Sequence, residues 1–130
     1  MSGSMSTVER GRCGEAIAAA YLELLGYRIR RRNLRVGRLE IDLVVTRGRV
    51  LAFVEVKLRA SARWGGGVGA VDVRKRQRVL AAAAPYLAWL RGRGWSPRHD
   101  IVTVDLRAGD RAMSVRHYPG VFSPPSSFVS

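Results

Sequence analysis

Two neighbouring strand-like segments joined by a short basic turn constrain the fold of this chain most strongly. Residues 39–46 and 50–58 are rich in β-branched and aromatic side chains, and Arg47-Gly48-Arg49 between them suits a tight turn. This pattern predicts an antiparallel hairpin. The second segment is apolar enough to be a central strand, so the charged residues within it need partners to offset their desolvation.

The other elements follow from hydrophobic periodicity and from glycine positions. Apolar residues at three- and four-residue spacing predict a first helix that Gly26 ends. Asp72 is placed to cap a second helix. The predicted elements are a helix at 8–25, an edge strand at 27–33 followed by a turn, a glycine-rich loop at 61–70, a second helix at 73–90, and strands at 100–106 and 112–118. This order predicts an α/β fold with a mixed central sheet flanked by helices.

Composition favours one domain, which we expect over residues 8–120. A chain of 130 residues with 47% hydrophobic content can build a single core. Residues 1–7 are expected to be a flexible leader or cloning remnant, and 121–130 a flexible tail. No segment has the length of a membrane span or the apolar region of a secretory signal, so a cytoplasmic protein is expected. The single cysteine, Cys13, excludes an intramolecular disulfide and is expected to pack in the helix.

The charge balance predicts a polyanionic partner. The chain has 23 basic and 10 acidic residues, a formal net charge of +13. Because the basic residues are spread over several elements instead of one helix face, nucleic acid is favoured over a membrane surface. A run of arginines from Arg28 leads directly into the first strand of the hairpin. We predict nucleic-acid contacts from Arg30, Arg31, Arg32, Arg35, Arg38, Arg59, Arg74, Lys75 and Arg76.

Acidic residues and a lysine recur at two-residue spacing in the hairpin. Glu55 and Lys57 should project from the same face of their strand, and Glu40 and Asp42 have the same relation one strand earlier. Converging carboxylates repel each other and raise one another's pKa, and a divalent cation relieves that repulsion. Oxygen ligands suit Mg²⁺ or Mn²⁺. Lys57 beside such an ion would orient or deprotonate an attacking water. The alternative is an exposed cross-strand ion pair without catalytic function.

Several short motifs occur in order along the chain. They are G-R-C-G-E at 11–15, G-Y at 26–27, R-N at 32–33, E-I-D-L at 40–43 and F-V-E-V-K-L-R at 53–59, followed by Lys75, Ala84 and Tyr86-Leu87. Together they resemble the YraN-like family of small bacterial proteins and, more widely, the PD-(D/E)XK nuclease superfamily, in which this family is similar to archaeal Holliday-junction resolvases. The sequence departs from the family pattern at Leu39, where glycine is usual, and at His99, where phenylalanine is common.

The resemblance implies a restriction-endonuclease-like αβββαβ core and a set of site residues. Asp42 would be the first metal ligand, Glu55 the second and Lys57 the catalytic lysine. Glu15 would be an additional acidic residue at the edge of the site, and Glu40 a secondary one. The implied cofactor is Mg²⁺ or Mn²⁺, and the implied partners are DNA in preference to RNA and, by analogy with resolvases, a second copy of the chain.

Three functions remain open from the sequence. The leading hypothesis is a Mg²⁺-dependent endonuclease that acts on branched or structured DNA. A non-catalytic nucleic-acid-binding module that keeps the nuclease fold is the alternative, and an assembly partner whose basic face meets an acidic protein is the third. Trp64 in the glycine-rich loop is expected to be half-buried packing in preference to a base-stacking residue. His99 and His117 are expected to be surface residues or residues with satisfied hydrogen bonds.

Overall fold

The computed structural model describes residues 7–59, 74, 77–79, 81, 94–106 and 113–120, with side chains from residue 11 onward. The elements are α1 at Thr7–Leu24, β1 at Arg28–Val36, β2 at Leu39–Arg47, β3 at Val50–Arg59, β4 at Ser96–Leu106 and β5 at Met113–Tyr118. The predicted first helix, the hairpin and the last strand are thereby confirmed to within one residue at each end. None of the described helical residues form a stretch with the length and apolarity needed to cross a bilayer.

The strands form one five-stranded sheet in the order β1-β2-β3-β4-β5. Neighbouring strands are antiparallel except β3 and β4, which run parallel from Val50 opposite Ser96 to Arg59 opposite Asp105. The predicted mixed α/β sheet with β1 at its edge is confirmed. Helical backbone at 74, 77–79 and 81 lies between β3 and β4 in the chain. These positions are too few to establish the predicted second flanking helix, so the full αβββαβ core stays a prediction.

Two predicted boundaries are wrong. The edge strand does not end in a turn at Asn33 but continues to Val36, and the turn follows at Gly37, whose φ is +62°. Asn33 adopts a φ of +52° inside the strand, a conformation that asparagine tolerates better than most residues. β4 begins at Ser96 instead of residue 100, because pairing with β3 extends the strand beyond its β-branched run. Pro97 is accommodated near the start of the strand.

Several predictions lie outside the described residues and remain predictions. They concern the glycine-rich loop at 61–70 with Trp64, the Asp72 cap, most of the helix at 73–90, residues 1–6 of the leader and the tail at 121–130.

The sheet has two buried faces. The α1 face is covered by the helix, where Ala18 and Leu22 pack with Leu43, Val54 and Val102. We call the other side the far face, and it is defined by the buried cluster of Ile41, Val44, Leu51, Phe53 and Val79. Because β3 contributes apolar side chains to both clusters, it is a central strand, as its composition predicts.

A fully buried carboxylate, that of Asp100 on β4, links β4 and β5 to the start of β1. Asp100 is 0% exposed and accepts hydrogen bonds from Arg98 at 2.7 and 2.8 Å, from His117 Nε2 at 2.7 Å and from the Gly120 backbone N–H at 3.0 Å. Arg98 also donates to the Tyr27 hydroxyl at 2.7 Å. Burial alone would raise the pKa of Asp100, but the hydrogen bonds from His117, Arg98 and Gly120 outweigh it and hold that pKa below its usual value. His117 is therefore a satisfied core residue, as expected.

We expect Asp100→Asn to destabilise the protein by about 3 kcal/mol at pH 7, because Arg98 would be left without its buried counter-charge. Urea denaturation measures the change. Since the folded state lowers the pKa of Asp100, its contribution is present above the unfolded pKa and is lost as the pH falls through the folded pKa, so variant and parent should converge in acid.

Asp105→Asn is the matched control for this experiment. Asp105 pairs with Arg59 at 3.9 Å, with its side chain 22% exposed, and its loss should cost less than about 1 kcal/mol. Equal losses from the two variants at pH 7 would contradict the assigned role of Asp100.

Candidate active site

The site is built where β2 separates from β3. Pairing between these strands ends at Leu43 opposite Val54, whereas β1 and β2 stay paired to Val36 opposite Leu39. Beyond Val54 in β3, the Val56 backbone N–H donates to Oδ2 of Asp42 at 2.8 Å. The Asp42 side chain thus accepts the hydrogen bond that a backbone carbonyl of a paired strand would accept. The separation leaves an opening in the sheet beside the proposed acidic residues. The Asp42 carboxylate accepts a hydrogen bond from the Val56 N–H, which would otherwise lack a partner there.

A change in strand alternation accompanies the opening. Ile41 packs on the far face and Leu43 on the α1 face, although residues two apart in a regular strand share a face. The register places Asn33 opposite Asp42, between the pairs Arg32–Leu43 and Leu34–Ile41. The positive φ of Asn33 therefore lies beside the residue at which β2 changes its alternation. Leu34 and Leu39 pack against the far-face cluster, to which Ile41 belongs.

Asp42 lies among three other carboxylates. Its pKa is raised from 3.8 to about 6, chiefly because burial disfavours the ionised form, and further by repulsion from Glu15, Glu55 and Glu40. The hydrogen bond from the Val56 N–H acts in the opposite direction but does not outweigh burial. The structure therefore places Glu15, Glu40 and Glu55 close enough to Asp42 to raise its pKa.

Glu15 reaches this region from α1. The helix backbone passes close to the end of β3, since a Cβ on Gly14 would lie 3.5 Å from the Leu58 Cβ. This packing sets the next residue, Glu15, beside the opening, where its charge acts on Asp42. Hydrophobic spacing alone gives no reason to select Glu15, because the contact depends on how the helix docks on the sheet.

Glu55 and Lys57 project from the far face of β3. Leu51 and Phe53 belong to the far-face cluster, and strict alternation continues that face to Glu55 and Lys57. Lys57 lies opposite Thr103 of β4. The Glu55 side chain is 22% exposed, and its Oε1 lies 3.7 Å from Nε2 of His99. The predicted shared face of Glu55 and Lys57 agrees with this geometry.

Glu40 takes a more peripheral position. Its Oε2 accepts a hydrogen bond from Arg35 Nη2 at 3.3 Å, with half of its side chain exposed. Glu40 also lines a small pocket on the far face, together with Glu55 and His99 and with the apolar residues Phe53 and Val79. Glu40 therefore lies at the edge of the site, paired with Arg35.

The donor set suits a hard cation held by few protein ligands. Within the described residues, no three His, Cys, Asp or Glu side chains converge on one point. Mg²⁺ does not require such a cage, because it keeps several waters and binds through one or two carboxylates and substrate phosphate. Asp42 and Glu55 supply two carboxylates whose mutual repulsion a cation would relieve. The residues present fit Mg²⁺ or Mn²⁺ on these terms.

Strand register divides the arginines of β1 between the two faces. Arg31 lies opposite Val44 of the far-face cluster, and Arg32 lies opposite Leu43 of the α1-face cluster. Both side chains are exposed. Arg28, opposite Thr46, shares the face of Arg31. Only some of the β1 arginines therefore lie on the face of the sheet that carries Glu55 and Lys57.

The other predicted nucleic-acid contacts have varied surroundings. Arg30 donates from Nε to the Thr46 hydroxyl at 2.9 Å, and Arg59 lies 3.9 Å from Asp105 with its side chain mostly buried. Arg38 and Arg74 are exposed. Lys75 and Arg76 lie outside the described residues.

His99 is neither a surface residue nor a satisfied one, so this expectation is wrong. It is only 3% exposed, and its Nδ1 has no hydrogen-bond partner among the described residues. The residue lies opposite Phe53 on the far face. The predicted strand begins at residue 100, whereas β4 begins at Ser96 and so includes His99 in its alternation.

We expect Asp42→Asn to stabilise the metal-free protein by about 1 kcal/mol at pH 7.5. A shift from 3.8 to about 6 means that the folded state binds the Asp42 proton more tightly than the unfolded state does, so ionisation costs stability as the pH rises through that interval. The expected gain is small because Asp42 is partly solvated, so water reduces the cost of its ionisation. The asparagine side chain keeps an amide oxygen that can accept the hydrogen bond from the Val56 N–H.

Thermal and urea denaturation in EDTA between pH 4 and 8 would measure this effect. The gain should shrink toward pH 4, where the parent carboxyl is protonated. Glu23→Gln, at an exposed position of α1, is the control and should change stability by less than about 0.5 kcal/mol. An Asp42→Asn variant less stable than the parent at pH 7.5 would contradict the raised pKa.

Comparison with known proteins shows the family to which the chain belongs. A family model described as "Uncharacterised protein family UPF0102" matches residues 14–104. A "UPF0102 protein" of Chlorobium chlorochromatii is 43% identical over 108 residues, which cover 83% of each chain. Namesakes from Syntrophotalea carbinolica and Moorella thermoacetica are 44% and 41% identical, covering 86% and 92% of this chain and 89% and 99% of theirs. The resemblance is thus confirmed at the level of the family, and the chain belongs to UPF0102.

Proposed function

We propose that this protein is a Mg²⁺-dependent endonuclease that hydrolyses phosphodiester bonds in branched or otherwise structured DNA. The observation that carries the proposal is the surroundings of Asp42. A partly buried carboxylate with a pKa of about 6, among Glu15, Glu40 and Glu55, lies where two strands separate. Perturbed carboxylates of this kind cluster at functional sites more often than in purely structural regions.

The chain's own residues have distinct parts in the proposed reaction. Asp42 and Glu55 would hold the cation, which supplies Lewis-acid stabilisation of a phosphate and a more acidic water. Lys57 projects from the face of Glu55 and would neutralise charge that develops on the phosphate oxygens. Glu15 reaches the same opening from α1 and would accept a hydrogen bond from the attacking water. Glu40, paired with Arg35, would tune the local charge without contacting the reacting atoms.

The basic charge of the chain supports nucleic acid as the substrate. A net charge of +13 attracts a phosphate backbone whatever its sequence. Arg28 and Arg31 lie on the far face together with Glu55 and Lys57, so a backbone bound there would meet both groups. We propose DNA in preference to RNA, a cytoplasmic location, no membrane partner and a homodimer, the last because a junction has symmetry-related strands.

A non-catalytic nucleic-acid-binding module is the second candidate. It is favoured by the finding that no three potential ligands converge among the described residues, while the arginine-rich strand stays exposed. The two functions share their binding surface and differ in whether the carboxylates act on a bound phosphate.

Cleavage assays separate the two candidates. Purified protein is incubated with junction, flap, single-stranded and duplex DNA in Mg²⁺ or Mn²⁺. We expect cleavage of a structured substrate, and a loss of at least about 100-fold in Asp42→Asn, Glu55→Gln and Lys57→Ala, because each removes a group that acts on the reacting phosphate. Glu23→Gln should cleave like the parent. Absence of cleavage by the parent, or full activity of Asp42→Asn and Glu55→Gln, would leave only the binding module.

Adjacent arginines on opposite faces test where the DNA lies. We expect Arg31→Ala to weaken DNA binding and to reduce the slope of log affinity against log salt by about 0.7 to 0.9, as the loss of one phosphate contact predicts. Arg32→Ala should leave that slope close to the parent value, since Arg32 projects from the α1 face. Fluorescence anisotropy over a range of salt gives both slopes. A larger change for Arg32→Ala would place the DNA on the other face.

A further inference from the structure

A buried histidine borders the proposed site without belonging to its predicted residues. His99 lies on β4 opposite Phe53, and its side chain is only 2% exposed. Its Nε2 is 3.7 Å from Oε1 of Glu55. Both residues line the small far-face pocket with Glu40, Ile41, Phe53, Val54 and Val79. In this described lining, His99 is the one side chain that can donate a hydrogen bond.

The two ring nitrogens of His99 have different surroundings. Nε2 faces a carboxylate, whereas Nδ1 is buried and has no hydrogen-bond partner among the described residues. A hydrogen bond toward Glu55 requires the proton on Nε2, and Nδ1 is then an unsatisfied acceptor. An unsatisfied buried acceptor costs about 1 to 3 kcal/mol. A phenylalanine would occupy a similar volume at this position without that cost, so packing alone does not account for an imidazole.

We propose that His99 is a positioning residue for Glu55. Its Nε2–H restrains the Glu55 carboxylate on the face of β3 from which that carboxylate would bind the cation. The distance of 3.7 Å exceeds hydrogen-bond length, and a small rotation of the Glu55 side chain closes it, as commonly happens when a ligand fixes a site. This inference rests on the proposed function because it assigns a task to a proposed metal ligand.

The physical basis is the control of carboxylate orientation. Glu55 has rotatable side-chain bonds and lies close to other negative charges, since it raises the pKa of Asp42 by repulsion. Repulsion alone would favour rotamers that carry the carboxylate away from Asp42. A donor fixed in the buried part of β4 opposes that rotation, because the backbone of His99 is held by the parallel pairing with β3. Outer partners of this kind typically change metal affinity by about 10- to 100-fold.

Three substitutions at one position separate the donor from the packing. Glutamine can present an N–H about as far from the backbone as Nε2, asparagine reaches only as far as Nδ1, and phenylalanine has no donor. Binding of Mn²⁺ to the DNA-free protein is measured by titration calorimetry, and thermal unfolding of each variant shows that it is folded. We expect His99→Phe and His99→Asn to bind Mn²⁺ about tenfold more weakly than the parent. His99→Gln should stay within about threefold of the parent.

A metal-free measurement provides an independent readout. Imidazole ¹⁵N shifts of His99 should report the Nε2–H tautomer in the parent, and Glu55→Gln should change the Nε2 shift more than the Nδ1 shift. A purely structural histidine would not require this tautomer, nor would its glutamine variant restore metal affinity. An Nδ1–H tautomer, or equal Mn²⁺ affinity in the parent, His99→Phe and His99→Gln, overturns the proposal.

The outcomes distinguish this inference from the proposed function. If Mn²⁺ affinity depends on His99 but the parent cleaves no DNA, the positioning role stands and the nuclease assignment fails. If the parent cleaves DNA through Asp42 and Glu55 while His99→Phe binds Mn²⁺ and cleaves as the parent does, the nuclease stands and the positioning role fails. A parent that binds no Mn²⁺ without DNA overturns the positioning role, whereas the nuclease assignment is decided by the cleavage assay.

Discussion

The hydrogen bond from the Val56 N–H to Asp42 is the interaction on which the site depends. It forms where β2 leaves β3, at a backbone donor that a continuous sheet would pair with a strand carbonyl. A carboxylate can occupy that position only because the alternation of β2 changes between Ile41 and Leu43. The strand separation, the positive φ of Asn33 and the raised pKa of Asp42 therefore describe one local distortion. Strain and perturbed charge are commonly retained together at sites that act on a ligand.

The rest of the sheet confines this distortion to one place. β3 and β4 stay in register over their whole paired length, and the Asp100 network joins β4, β5 and the start of β1 through Arg98, His117 and Tyr27. The two carboxylates illustrate opposite outcomes of burial. Asp100 has enough donors to remain ionised at a low pKa, whereas Asp42 has one backbone donor and several like charges, so its pKa rises. The first arrangement stabilises the fold, and the second leaves a carboxylate that gains from a cation.

Local signals predicted the hairpin, the first helix and the shared face of Glu55 and Lys57, because each depends on alternation or spacing within a short segment. The signals failed where distant parts of the chain decide. The edge strand is predicted to end at Asn33, yet pairing with β2 continues it to Val36. The same limit applies to Glu15, whose place beside Asp42 follows from helix docking and was selected only by resemblance. The burial of His99 likewise depends on parallel pairing with β3, which extends β4 to Ser96 and sets His99 opposite Phe53.

The charges of the molecule form a consistent pattern when the two faces are considered separately. Under the proposed function, Asp42 and the acidic residues that raise its pKa would by themselves repel a phosphate, so a cation would accompany any phosphate that binds there. In the proposed function, the net charge of +13 would attract a phosphate backbone over a long range, and the arginines on the face of Glu55 would direct that backbone toward the opening. Long-range attraction of nucleic acid and binding of its phosphate at the site are thus proposed for different residues. In the proposed function the arginines would bring nucleic acid to the surface, and the acidic opening would accept its phosphate together with a metal ion.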